Sequence, residues 1–391
     1  MAHITEITLE GLLDRQDSIN LKLNRGVNVF FGENGCGKTT LLKVLDAALS
    51  CDSGTMEQLP IKKAVVDLFS ISENRIIRHS WEREAEKPHE QQASQASADS
   101  FIETLEGRYA VRSTSNQNRW KQSPAKRKSP RFQQWEHAFL PTTRLFAGAA
   151  SSERANMRIA SKIAEKELDQ AFSDSVNKAW LQFYSKTLTE VRNIQESGLR
   201  GVLRHVLNPT EKSAPTASQD PAAIYQRVAN FLSRQPQNEK FSLGPLAAFE
   251  QRYESDSDLK KIVDNLDEVE RSIEQAMVPI SRFRETISRL FSRGKSLALN
   301  NDLQVVLSNA QTLPISQLSS GEKHLIKILL TSMMAGPNSV MIDEPELSLH
   351  IDWQRVFVPT ILSLNPSCQL ILASHSPEIM AEVSDDCIFR L

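Results

Sequence analysis

Apolar and polar residues alternate like a strand at the N-terminus, and strand signals run over 4–9, 19–23 and the apolar 27–31 and return at 64–71 and 75–79. Thr40, Leu41, Leu42, Val44 and Leu45 instead follow helical spacing, as do Leu325, Ile326, Ile328, Leu329 and Leu330, which continue through Met333 and Met334. Two segments, 339–342 and 369–373, are unbroken apolar runs after their first residue and have the composition of strands covered on both faces, as in a parallel sheet. The pattern predicts an α/β fold whose two ends fold together. Between them, 82–131 is polar, with a Gln/Ala/Ser stretch at 91–97 typical of a flexible loop, and 139–145 is strand-like. From 151 to about 295 the period is helical, with Ile159, Ile163, Leu168, Phe172, Val176, Trp180 and Leu181 marking an apolar stripe. Pro209, Pro215, Pro221, Pro236, Pro245 and Pro279 then predict shorter pieces, so a compact helical insertion is expected in place of a coiled-coil arm with sustained heptads. The expected parts are 1–81, 82–135, 136–150, 151–295 and 296–391.

Where the strand at 27–31 ends and the helix at Thr40 begins stands Gly32-Glu33-Asn34-Gly35-Cys36-Gly37-Lys38-Thr39, which fits G-x-x-x-x-G-K-[ST]. Glycines allow the backbone to bend so that successive N–H groups converge on an anion, and the following helix adds its positive end. Lys38 can reach β and γ phosphates and Thr39 can give its hydroxyl to Mg²⁺. The plainer alternative is a Gly-rich turn between strand and helix.

The strand at 339–342 ends in Asp343-Glu344. Asp343 can help hold Mg²⁺ and Glu344 can orient and deprotonate an attacking water, or the pair is a solvated strand end. Leu318-Ser319-Ser320-Gly321-Glu322 opens the C-terminal helix; Ser319 with Glu322 is a capping box, and Ser319 with the Gly321 backbone is also an anion site at a helix N-terminus. The strand at 369–373 leads through Ser374 to His375, either a structural histidine or one at the sheet edge where α/β folds bind ligands. Asp343, Glu344 and Glu346 as a two-metal acid set fit less well than nucleotide hydrolysis does.

Together, G-x-N-G-x-G-K-T at 32–39, L-S-S-G-E at 318–322, I-D-E-P-E-L-S-L-H at 342–350 and S-H-S-P at 374–377 resemble the ABC-type ATPase superfamily. The likeness is to its SMC, RecF and OLD-like branch and to AAA_15/AAA_21-like ATPases of bacterial defence and toxin systems. It covers the two ends of the chain. The resemblance implies a P-loop ABC-type ATPase head with a mixed sheet, carrying a helical insertion. It also implies ATP and Mg²⁺ at Gly32 to Thr40, with Thr39 and Asp343 toward the metal, Glu344 as base and His375 as switch histidine. Ser319 and Gly321 would contact ATP held by a second copy, making a homodimer around an ATP sandwich, with 348–350 near the D-loop. The Gln that the family presents after a further strand has no placed counterpart; 139–145 resembles that strand but carries Thr and Arg.

The chain has 391 residues, enough for a core domain and an insertion, and a formal net charge of −2, so any nucleic-acid contact must be local. Arg119, Lys121, Lys126, Arg127, Lys128 and Arg131, interleaved with Trp120, Phe132 and Trp135, are such a candidate, or a solvated basic linker. Cys36, Cys51, Cys368 and Cys387 show neither metal-ligand nor disulfide spacing, which fits a reducing cytoplasm. No signal peptide and no membrane span are expected, since Lys327 and Pro337 break the most apolar stretch. Three roles follow. The first is an ATPase controlling a separately encoded nuclease or toxin, favoured because the sequence ends soon after His375. The second is a DNA-binding RecF or SMC-like ATPase, and the third a transporter subunit, disfavoured by the long separation of Lys38 from Ser319.

Overall fold

In the computed structural model the chain is described over residues 2–83, 120–123, 134–142, 157–207, 222, 225–226, 245–291, 295–299, 303–307 and 311–391. The N-terminal strands are β1 (Ala2–Glu10), β2 (Ser18–Lys22) and β3 (Val27–Phe31), followed by helices α1 (Lys38–Ser50) and α2 (Ser53–Gln58). Then come β4 (Lys63–Ser70), β5 (Arg75–Glu82), β6 (Lys121–Ser123), β7 (His137–Leu140) and the long helices α3 (Met157–Leu207), α4 (Leu246–Ser255) and α5 (Ser257–Leu290). The remainder comprises β8 (Lys295–Leu299), β9 (Leu303–Leu307), β10 (Thr312–Pro314), α6 (Ser320–Met334), β11 (Ser339–Asp343), α7 (Ile351–Arg355), α8 (Phe357–Leu364), β12 (Gln369–Ser374), α9 (Pro377–Met380) and β13 (Ile388–Arg390).

Parallel and antiparallel pairing are separated. An antiparallel sheet has the order β2-β1-β4-β5-β6, and a parallel sheet has the order β13-β3-β12-β11-β7, with the apolar β3, β12 and β11 at its centre. A third, β10-β9-β8, is antiparallel; its short strands gave no periodic signal in the sequence. Helix α1 buries Leu41, Leu42, Val44, Leu45 and Ala48 in one cluster with Ile4, Ile7, Leu9, Val66 and Leu68 of the antiparallel sheet and Met341, Ile371 and Ala373 of the parallel one. Each such large side chain contributes about 1.5–3 kcal/mol. Buried Gln369 joins the two sheets. Its Nε2 donates to Ile4 O (2.7 Å) and Asn24 O (2.9 Å), and its Oε1 accepts from Ile4 N (2.8 Å) and Ser339 Oγ (2.9 Å).

His79 on β5 is buried, with Nδ1 2.7 Å from Ala48 O and no partner for Nε2. A carbonyl only accepts, so Nδ1 carries the proton and the ring is neutral. Burial pushes its pKa below the ordinary 6.5, and burial lowers His3 and His324 likewise. In the acid range the unfolded chain therefore binds protons that the folded chain rejects, so stability is complete above the unfolded value and is lost as pH falls through it. The urea midpoint is expected to be flat from about pH 7 to 8 and to drop between about pH 6.5 and 5. His79→Leu should flatten that drop; an unchanged slope in this variant would remove His79 from the account.

The described residues divide into Met1–Trp180 with Arg282–Leu391, and Leu181–Ser281, the latter inside the 151–295 expected for the insertion. In the second unit, Gly198 and Gly201 of α3 lie so close to Val269 and Asn265 of α5 that a Cβ at either would overlap them, and the pairing runs antiparallel. Phe249, Val263, Tyr225, Tyr253, Leu259 and Leu266 form a separate cluster there. Pro279 was expected to end a helix but lies inside α5. The buried Ile280, Phe283 and Ile287 beyond it recur at helical spacing and offset the lost backbone bond. The basic segment is also corrected. Trp120 and Trp135 are core residues, 1% and 5% exposed, with Trp120 Nε1 donating to Asp52 O at 3.1 Å, so neither is a stacking platform for bases. Arg119, Lys126, Arg127, Lys128, Arg131 and Phe132 lie outside the described residues, as does most of the 82–135 insert. Among the described residues no helix is long and apolar enough to cross a membrane.

Candidate functional site

The loop from Gly32 to Thr39 joins the buried strand β3 to α1. Gly35 (φ 84°) and Gly37 (φ 108°) take the left-handed conformation, and a Cβ on Gly32 would stand 2.7 Å from Cys36 Sγ. The turn is open only to glycine at these points. Lys38 is 5% exposed, and its ammonium curls back to donate to Gly32 O (2.7 Å) and Glu33 O (3.0 Å), with Cys36 Sγ at 3.9 Å. The cation is therefore enclosed by the loop that it follows. Glu33, Asn34 and Gly35 form the exposed rim, and Thr40 is half-buried in the first turn of α1.

Thr39 Oγ1 donates to Asp343 Oδ2 at 2.8 Å, joining the loop to the end of β11. Asp343 is 3% exposed and its Oδ1 is buried without a hydrogen-bond partner, an acceptor left unused. The hydroxyl of Thr142 donates to the same Oδ2. Sequence reasoning missed Thr142. Its only signal was a polar residue two positions beyond a strand, and the parallel register of Leu140 with Ile342 is what brings it beside Asp343. The strand expected over 139–145 ends at Leu140, so Thr142 lies just beyond it. The orphaned carboxylate oxygen, the two hydroxyls and the enclosed ammonium are the oxygen-rich, cationic surroundings that a Mg²⁺–triphosphate takes. Among the described residues no group of three or more His, Cys, Asp or Glu is placed to hold a metal ion.

Glu344 follows Asp343 at φ 49°, an uncommon conformation for a side-chain-bearing residue, held by its N–H donating to Ala373 O at 2.8 Å. Beyond it the chain turns through Glu346 and Ser348 (φ 62°). Glu346 reaches His375, with Oε1 3.0 Å from Nδ1. Ser319 is exposed and forms the capping box: Glu322 N donates to Ser319 Oγ (3.3 Å) and Ser319 N to Glu322 Oε2 (3.0 Å). Gly321 packs so tightly on Ser348 O that a Cβ would overlap it, and His324 Nδ1 donates to Leu347 O at 2.8 Å. Within one chain, then, Lys38, Thr39 and Asp343 converge, Glu346 and His375 pair, and Gly321 and His324 rest on the turn after β11, with Ser319 bonded to Glu322 of its own helix. His324→Leu should lower stability by about 0.5–1.5 kcal/mol, and His324→Asn, whose amide nitrogen can replace Nδ1, should keep most of it. Equal urea midpoints for the two variants would mean that the bond to Leu347 contributes nothing.

A glycine-rich loop feeding a helix, with its Lys enclosed and its Thr bonded to an Asp at the end of a parallel strand two places away in the sheet, is the arrangement of a P-loop nucleotide-binding domain. The chain belongs to the AAA ATPase domain family AAA_15, whose profile matches residues 3–380. It is similar to the "Retron Vc95 probable ATPase" of Vibrio cholerae serotype O1 biovar El Tor, 32% identical over 96 residues that span 21% of this chain and 19% of that protein. It is also similar to the "Retron Ec83 probable ATPase" of Escherichia coli, 29% identical over 100 residues, 22% of this chain and 18% of that one. These matches thus span about a fifth of each retron protein. Among solved structures, the Smc head domain with an extended coiled coil bound to the C-terminal domain of ScpA from Pyrococcus furiosus aligns at a TM-score of 0.44 and 14% identity, covering 97% of this chain and 92% of that one. The SMC head domain from Thermotoga maritima aligns at 0.40 and 12%, covering 98% and 92%.

Proposed function

We propose that the protein binds ATP with Mg²⁺ and hydrolyses it, that two copies close around two nucleotides, and that this cycle controls a separately encoded effector in anti-phage defence or a toxin system. The observation that carries the reading is the junction of Lys38, Thr39 and Asp343 at one sheet edge. Lys38 would release its two carbonyl partners to meet the β and γ phosphates, and the loop backbone from Gly32 to Thr40 would line the rest. Thr39, Asp343 and, beyond the sequence expectation, Thr142 would hold Mg²⁺. When bound, Mg²⁺ neutralises charge on the phosphate oxygens. Glu344 is the general base that takes a proton from the attacking water, and His375 meets the γ-phosphate. Ser319, exposed at this helix N-terminus, would turn its hydroxyl from Glu322 Oε2 (2.9 Å) toward nucleotide on the second copy, with the backbone of the buried Gly321 beside it.

The likeness to two retron ATPases supports a defence role. A cytoplasmic location is supported by Cys36, Cys51, Cys368 and Cys387, none of which is joined in a disulfide; burial pushes Cys51 up to about 12 and Cys368 up to about 11. The test is Mg²⁺-dependent phosphate release by the purified chain, with sedimentation velocity in the presence and absence of a non-hydrolysable analogue. Absence of nucleotide binding would end the enzymatic reading. A monomer that binds and hydrolyses ATP at every concentration would end the dimeric one.

A further inference from the structure

Resting on the hydrolytic reading above, we infer that Glu346 is a positioning residue for His375: it holds Nδ1 as the protonated ring nitrogen and leaves Nε2 as the one free to meet a phosphate oxygen. The Glu346 side chain is 6% exposed and that of His375 is 45% exposed, so a buried anchor carries an accessible ring. Glu346 Oε1 lies 3.0 Å from Nδ1. A carboxylate oxygen at this distance repels a lone pair and attracts an N–H, so the contact favours the proton on Nδ1, and a neutral ring then has its lone pair on Nε2. The same oxygen accepts from His375 N–H at 2.8 Å and from Ser374 Oγ at 2.9 Å. One atom thus holds both the backbone and the ring of His375.

The flanking serines extend the clamp. Ser376 N donates to Ser374 Oγ (3.0 Å), Ser376 Oγ donates to Gln354 Oε1 (2.8 Å), and Gln354 Nε2 donates to Leu349 O (3.0 Å). Each residue of Ser374-His375-Ser376 is therefore tied, directly or through its neighbour, to the segment that runs from Glu346 to Gln354. Glu346 Oε2 is buried with no partner, a costly arrangement that a merely space-filling residue would avoid. Orienting a ring whose other nitrogen does the work accounts for the carboxylate, as outer partners do for working histidines elsewhere.

The test combines nitrogen-15 NMR of histidine-labelled protein, with the His375 signal assigned from its loss in His375→Asn, and single-turnover ATP hydrolysis. In the unsubstituted chain at about pH 8 the proton is expected on Nδ1 of His375, and in Glu346→Gln that preference should weaken. Glu346→Gln should slow hydrolysis by about 10- to 100-fold while binding of a fluorescent ATP analogue changes by less than about threefold. Because Glu346 acts through His375, the double variant Glu346→Gln/His375→Ala should match His375→Ala alone within about twofold. A proton found on Nε2 in the unsubstituted chain, or a double variant slower than His375→Ala by the full factor of Glu346→Gln, overturns the inference. If Glu346→Gln does not fold, the tautomer of the unsubstituted chain still decides. An unsubstituted chain that hydrolyses no ATP defeats the proposed function instead, and the tautomer is read independently of it.

Discussion

Glu344→Gln is expected to slow ATP turnover by about 10² to 10⁴ and to leave nucleotide binding intact, so that ATP-bound dimers accumulate. Gln has the shape of Glu without the capacity to accept a proton, and the backbone of residue 344 is fixed by the bond from its N–H to Ala373 O at 2.8 Å. The left-handed φ of 49° is uncommon outside glycine and costs on the order of 1–3 kcal/mol, a cost that recurs at working sites. Since side-chain chemistry alone changes, the melting temperature should move little. Burst-phase and steady-state phosphate release, with light scattering to follow dimers, check the prediction. Hydrolysis at the unsubstituted rate would take the base away from Glu344.

Lys38→Ala is expected to remove detectable nucleotide binding at micromolar concentrations. The Lys38 ammonium is held at 2.7 Å from Gly32 O and 3.0 Å from Glu33 O, inside the loop that would receive the phosphates. Truncating one partner of a buried, hydrogen-bonded charge pair costs about 2–5 kcal/mol, which is roughly 30-fold or more in affinity. In the free protein the same substitution leaves two carbonyls without a donor, so stability should fall slightly. Isothermal titration with ATP and Mg²⁺ separates the two effects. Binding within a fewfold of the unsubstituted protein would show that the loop does not use its lysine.

The separation of effects between these two variants follows from the proposed roles: Lys38 in binding, before the bond-breaking step, and Glu344 at that step. Both were readable in the sequence because each lies in a contiguous motif at a strand end. Thr142 and Glu346 were not readable in the same way. Thr142 meets Asp343 across 201 positions and Glu346 meets Ser374 across 28, so no local period or spacing encodes either contact. Trp120 and Trp135 show the opposite failure. Their basic neighbours suggested a nucleic-acid surface, but both indoles are buried, because an aromatic has the same local pattern whether it faces the core or the solvent. Pro279 was read as a helix breaker from its intrinsic geometry, and the buried residues beyond it in α5 outweighed that preference.

The phosphate loop was determined by the sequence alone: glycines at 32, 35 and 37 make the backbone bend, and Lys38 and Thr39 follow within covalent reach, so neighbouring residues suffice to specify it. The buried parallel strands were likewise written in their unbroken apolar runs. Only the tertiary structure decided which hydroxyls meet Asp343, which carboxylate holds His375, and that Gly321 rests on Ser348 of its own chain. Those contacts depend on strand order and register in a sheet, where one residue of slip changes every partner, and that register is set by the packing of the whole core.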